Sequence, residues 1–190
     1  MYQLTQNTRA FYNIVSFIGL IFFIPFSVQA QINFLPEPDP NFYPDRSVVS
    51  PITATIGYRG FGESQAYFGQ GEYEIFLDNI DGVLDRPILI LDGFDPGDGR
   101  GIGALYASLS YGGQNLADEL RDIGFDVVIL NAPNYTTDGY EISGGGDFIQ
   151  RNAMVLIALI DEINNQKVGN EELVVLGPSM GGLISRYALA

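Results

Sequence analysis

Three short apolar runs constrain this chain more than any other feature. Pro87 to Leu91 (PILIL), Val127 to Leu130 (VVIL) and Leu173 to Leu176 (LVVL) are each of strand length and carry no polar side chain. A strand that is apolar at every position has no solvent face, so it must be covered on both sides. Between the runs lie segments with helical spacing. Leu116, Leu120 and Ile123 share one stripe, and Gly124 follows as a left-handed terminator. Ile149, Ala153, Leu156, Ile157, Ile160 and Ile163 form a second stripe, with Asp147 and Gln150 spaced ahead of it as a capping box. Gly181 to Ala190 opens a third helix. Upstream, Pro51 to Tyr58 and Tyr73 to Asp78 are β-prone runs on either side of a Gly-rich stretch, which predicts an antiparallel pair. The predicted order is β, β, then β-α-β-α-β-α, an α/β fold whose later strands are parallel.

Composition removes whole classes of function. The 190 residues suffice for one domain, and at 46% hydrophobic they can bury a core. Nine Lys and Arg stand against 23 Asp and Glu, a net charge of −14, so no excess of cations exists to neutralise a nucleic acid. The chain has no His and no Cys. It therefore lacks a histidine base, a thiol nucleophile, a disulfide and a Cys/His zinc site.

Residues 1–30 read as an export signal. Arg9 precedes an apolar run from Ile14 to Phe26, and Val28 and Ala30 suit cleavage before Gln31. That run is shorter than the ~20 residues a bilayer span needs, and Pro25 interrupts it, so no stable span is expected after cleavage. Lipoprotein anchoring would need a Cys. Residues 31–50 hold four prolines and read as an extended leader or linker. The expected product is secreted, periplasmic or displayed at the cell surface.

Chemistry is concentrated in Gly177-Pro178-Ser179-Met180-Gly181. This is Gly-x-Ser-x-Gly placed between a buried strand and a helix. A sharp turn there strains the serine backbone and lifts Ser179 Oγ off the end of the sheet. Side chains two positions to either side would collide with neighbouring elements, which accounts for Gly177 and Gly181. The helix that follows points its unpaired N–H groups toward an oxyanion, and that of Met180 is placed to donate.

GPSMGGLISRYALA resembles the nucleophile elbow of the α/β-hydrolase superfamily, on its lipase and esterase side. The resemblance runs from about Arg86 to Ala190, with the upstream strand pair matching the family's first two strands. RPILILDGFDPGD, GFDVVILNAP and DFIQRNAMVLIALIDEIN together resemble exported bacterial α/β-hydrolases that often carry a C-terminal sorting domain. In such enzymes the loop after the third strand usually reads His-Gly-x, and here it reads Asp92-Gly93-Phe94. The resemblance makes Phe94 N–H the second oxyanion donor. The Asp92-for-His departure keeps the donor, which is backbone, but adds a carboxylate near developing negative charge. The activity implied is acyl hydrolysis of an ester or lipid-like small molecule through an acyl-enzyme, with no cofactor and no metal.

Other motifs carry less. Asp92, Asp95 and Asp98 invite a calcium reading, yet their spacing fails the alternation of an EF-hand loop, and solvated loop carboxylates are the expectation. Gly99-x-Gly101-x-Gly103 follows Pro96 rather than opening a helix from the strand, so it is not a dinucleotide loop. Gly144 to Gly146, Tyr135, Tyr140 and Phe148 are candidates for the cleft border, with ordinary packing the competing reading.

The family order is Ser, then an acid, then His. With no His in the chain, the acid and base are expected outside these 190 residues. Lys167 cannot substitute, because it precedes the third strand while Ser179 follows it, roughly 17–20 Å away. Residues 51–190 are accordingly read as the N-terminal part of a hydrolase domain, truncated after the elbow helix and inactive alone. The alternative is a non-catalytic hydrolase fold kept for binding or surface interaction.

Overall fold

A computed structural model describes residues 48–190. The export signal, and the Pro-rich leader as far as residue 47, lie outside the described residues. Five strands form the main sheet: β1 (Ser50–Thr53), β2 (Gln70–Phe76), β3 (Pro87–Leu91), β6 (Asp126–Asn131) and β9 (Val174–Leu176). Their spatial order is β1-β2-β6-β3-β9. β1 pairs antiparallel with β2, and β2 antiparallel with β6. β3 runs parallel to both β6 and β9. Two short hairpins stand apart, β4 (Ser110–Tyr111) with β5 (Gln114–Asn115), and β7 (Asn134–Thr137) with β8 (Tyr140–Ser143).

Strand alternation sends the apolar runs into two separate cores. Val127 and Ile129 of β6, with Ile90 of β3, face helices α1 (Ile102–Ser108) and α2 (Leu116–Asp122). Val128 and Leu130, with Leu89 and Leu91, face α3 (Ile149–Gln166) and α4 (Met180–Ala188). All six residues of β6 are buried, as expected of a strand covered on both faces. The predicted mixed sheet with parallel later strands is the fold observed.

Several local expectations need correction. β1 ends at Thr53 rather than Tyr58, and only an isolated bridge from Tyr58 to Tyr67 continues the pairing. In α2 two of the three predicted stripe residues are misplaced. Leu116 and Ile123 are exposed, and Ala117 with Leu120 makes the contact with the core. Gly124 does end that helix at φ 86°, with Gly124 N–H donating to Arg121 O and Phe125 N–H to Leu120 O. α1 has no counterpart in the predicted order, since it rises from a glycine-rich segment with Gly101 at its N-cap.

The capping box is absent. Phe148 occupies the N-cap of α3, and the Asp147 carboxylate instead takes two bonds from Arg151 Nη1, at 2.8 and 2.9 Å. Arg151 is almost wholly buried; it also pairs with Glu63 and donates to Tyr58 O at 3.2 Å. A cation inside the domain outbids the helix end for that carboxylate. β9 also departs from the prediction: Val174 and Leu176 are 52% and 42% exposed. Among the described residues no strand pairs with its outer side.

Candidate active site

The turn from β9 to α4 brings together the residues that the sequence singles out. Ser179 has φ 52° and ψ −124°, a conformation that L-residues rarely adopt, and it stands exposed at the head of α4. Its side chain makes no bond to the helix it precedes. The steric reason for the flanking glycines holds. A Cβ on Gly177 would lie 2.4 Å from the backbone of Gly181, and one on Gly181 would lie 2.8 Å from Asp92 O and 3.3 Å from Leu91 Cβ. Gly182 is held as tightly, since its Cβ would sit 2.9 Å from Gly177 O. The five-residue pattern gives no hint of that third glycine.

Two bonds set the first turn of α4. Gly181 N–H donates to Pro178 O at 2.9 Å and Gly182 N–H to Ser179 O at 3.1 Å. Met180 N–H takes no acceptor among the described residues. The loop after β3 lies against the same turn: a Cβ on Gly93 would be 3.3 Å from Ser179 Cβ and 3.8 Å from its Oγ. Phe94 follows directly, 59% exposed and with its N–H likewise without an acceptor among the described residues. Against Gly93 and Met180 a small cavity of about 20 Å³ has apolar walls from Leu91, Val155, Met180 and Ile184. Asn131 and Asn152 reach it from the buried side.

A sequence model of the alpha/beta hydrolase fold matches residues 87–190, from the first residue of β3 through α4. The chain belongs to the alpha/beta hydrolase fold family. Among solved structures, a serine hydrolase without a lid from Xanthomonas campestris is 17% identical, with a TM-score of 0.47. That alignment covers 77% of this chain and 57% of the other. Est1E from Butyrivibrio proteoclasticus is 12% identical with a TM-score of 0.44, over 75% of this chain and 45% of its own. The chain thus spans about half the length of these structures. No curated protein matches the sequence.

In this alpha/beta hydrolase fold the acidic loop is solvated, as expected, only at Asp98. Asp92 and Asp95 side chains are only 9% and 15% exposed, and both face Arg100. Arg100 Nη2 lies 3.1 Å from Asp92 Oδ1. Burial pushes the Asp92 carboxyl above the usual range, while Gly93 N–H and Arg100 act against that shift. Asp98 turns away at φ 56° and accepts from Asn131 Nδ2 at 3.4 Å. Among the described residues no cluster could hold a metal ion. The signal for Arg100 was present in the sequence, where it is the one cation between Arg86 and Arg121.

The aromatic candidates do not line the cleft. Phe148 packs on Tyr58 and beside Arg151, and Tyr140 stacks at 5.8 Å on Tyr67 in a separate groove. Tyr135 is buried, with its hydroxyl pushed up to about 12 by burial and then by Asp147. Gly145 does border the cleft. A Cβ there would strike Asp95 O at 2.4 Å, so this turn buttresses the Asp92 loop. Lys167 stands at the far end of β9, where Nζ donates to Glu171 O at 2.7 Å. No helix among the described residues is long and apolar enough to cross a membrane.

Proposed function

We propose that this chain carries the nucleophile of an exported serine hydrolase that cleaves carboxylic esters. One observation supports the reading above all: the exposed hydroxyl of Ser179 at φ 52°, on a turn closed by glycines that admit no side chain. Ser179 Oγ adds to the acyl carbonyl carbon as its proton passes to a base. The N–H groups of Met180 and Phe94 hold the oxyanion, a contact worth about 10²–10³ in kcat per donor. Collapse of that adduct expels the alcohol, which takes the proton, and leaves an acyl-enzyme. Water then adds to the acyl group and releases the acid. The base and its orienting acid are a His and a carboxylate outside these 190 residues.

A fluorophosphonate probe applied to the full-length gene product tests this. We expect phosphonylation of Ser179 and none after Ser179→Ala. Labelling that survives in the variant, or a folded wild type that does not label, rejects the nucleophile. The absence of His favours a second reading, a non-catalytic hydrolase fold used for binding. That reading requires the second of these results. A 31–190 fragment by itself should turn over no p-nitrophenyl ester.

A further inference from the structure

We infer that Arg100 is a positioning residue for the oxyanion donor of Phe94, acting with Asp92 as a brace on the loop after β3. The inference rests on the ester-hydrolase reading. The donor belongs to the peptide joining Gly93 to Phe94, and both neighbouring peptides are pinned. On one side Gly93 N–H donates to Asp92 Oδ1 at 2.6 Å. On the other, Phe94 O accepts from Arg100 Nη2 at 3.1 Å. The same Nη2 is 3.1 Å from Asp92 Oδ1, so one guanidinium nitrogen ties the two ends together.

The next residue is fixed by the Arg100 backbone and by the opposite turn. Asp95 Oδ2 accepts from Arg100 N–H at 2.9 Å and lies 3.7 Å from Arg100 Nε, beyond hydrogen-bond length. Asp95 N–H donates to Gly145 O at 3.0 Å. A loop held at both flanks presents its central N–H without reorganising when charge develops, which is the condition for effective oxyanion stabilisation.

Charge gives Arg100 a second task. Asp92 sits where an unpaired carboxylate would oppose a growing oxyanion, and a paired one does so much less. A planar guanidinium reaches a carbonyl and two carboxylates at once, which an ammonium on a flexible stem does not.

The test uses the full-length gene product and a short-chain p-nitrophenyl ester. Arg100→Gln should lower kcat by about tenfold or more and change KM less than about twofold, because the contact matters only in the transition state. Arg100→Lys should fall between the two, and adding Asp92→Asn to Arg100→Gln should regain part of the loss. If Arg100→Gln does not fold, the double variant is read against Asp92→Asn alone, since neither leaves an unpaired carboxylate at residue 92. Amide exchange at Gly93 should quicken in Arg100→Gln while β3 and β6 stay protected. Unchanged kcat, a loss confined to KM, or unchanged Gly93 exchange overturns the brace. If the wild type neither labels nor turns over ester, the ester reading fails, and Gly93 exchange still decides whether Arg100 holds the loop.

Discussion

Gly177 and Gly181 touch backbone to backbone across Ser179, so close that a Cβ on Gly177 would lie 2.4 Å from the Gly181 carbonyl carbon and oxygen. Neither atom can yield by rotating a side chain. Gly177→Ala should therefore destabilise the domain by about 3 kcal/mol, at the upper end of core overpacking. Gly182→Ala, with a 2.9 Å approach to a single oxygen, should cost less. Urea denaturation of the two variants gives the order, and the reverse order would contradict this account of the turn.

Ser179 itself holds strain. At φ 52° and ψ −124° a residue with a side chain pays about 1–3 kcal/mol that glycine does not. Part of the gain from Ser179→Gly is offset by the greater freedom of glycine in the unfolded chain. A net rise in stability of about 1 kcal/mol should appear as a higher thermal midpoint, along with loss of labelling.

Arg151 is the largest of the fully buried side chains, paired with Asp147 and Glu63. Arg151→Met would strand two carboxylates, of which Asp147 is 6% exposed. Removing one partner of such a group costs about 3 kcal/mol. Neutralising both acids in the same background, as Asp147→Asn and Glu63→Gln, should recover part of that loss in chemical denaturation at neutral pH.

Acid should weaken the far end of the sheet through Asp78. Its Oδ1 accepts N–H bonds from Ile80, Asp81 and Gly82, at 3.1, 2.9 and 2.8 Å. The Gly82 and Asp81 bonds hold its carboxyl below the usual carboxylate range. A folded-state pKa below the unfolded one gives stability that is present above the unfolded value and lost as pH falls through the folded one. Asp78→Asn should be less stable than wild type at pH 7, and the gap should close as the pH drops below about 4. A gap that widens in acid would contradict the assignment.

Much of this arrangement can be read from the sequence because burial on both faces leaves a direct trace. β3 and β6 are covered by helices on either side, so every position is apolar apart from Asp126 and Asn131 at the ends of β6. The elbow is legible for a similar reason, since backbone contact leaves only glycine. What escaped has weaker traces. α2 is buried through Ala117, and a small residue makes no stripe. Asp147 has the spacing of a helix cap, but Arg151, four residues on, claims it, and nothing in that spacing says which partner wins. Arg100 shows in the sequence as a lone positive charge, while its three contacts exist only once the loop has turned.

Serine at the start of a helix ordinarily turns its oxygen back to satisfy the first amides, and in doing so quiets the positive pole behind them. Ser179 holds that station without performing that duty: at φ 52° and ψ −124° its side chain makes no capping bond to α4. The N–H of Met180 and the alcohol are left unengaged together. A change that let residue 179 relax into ordinary capping would silence both together, even with every other atom of the cleft in place.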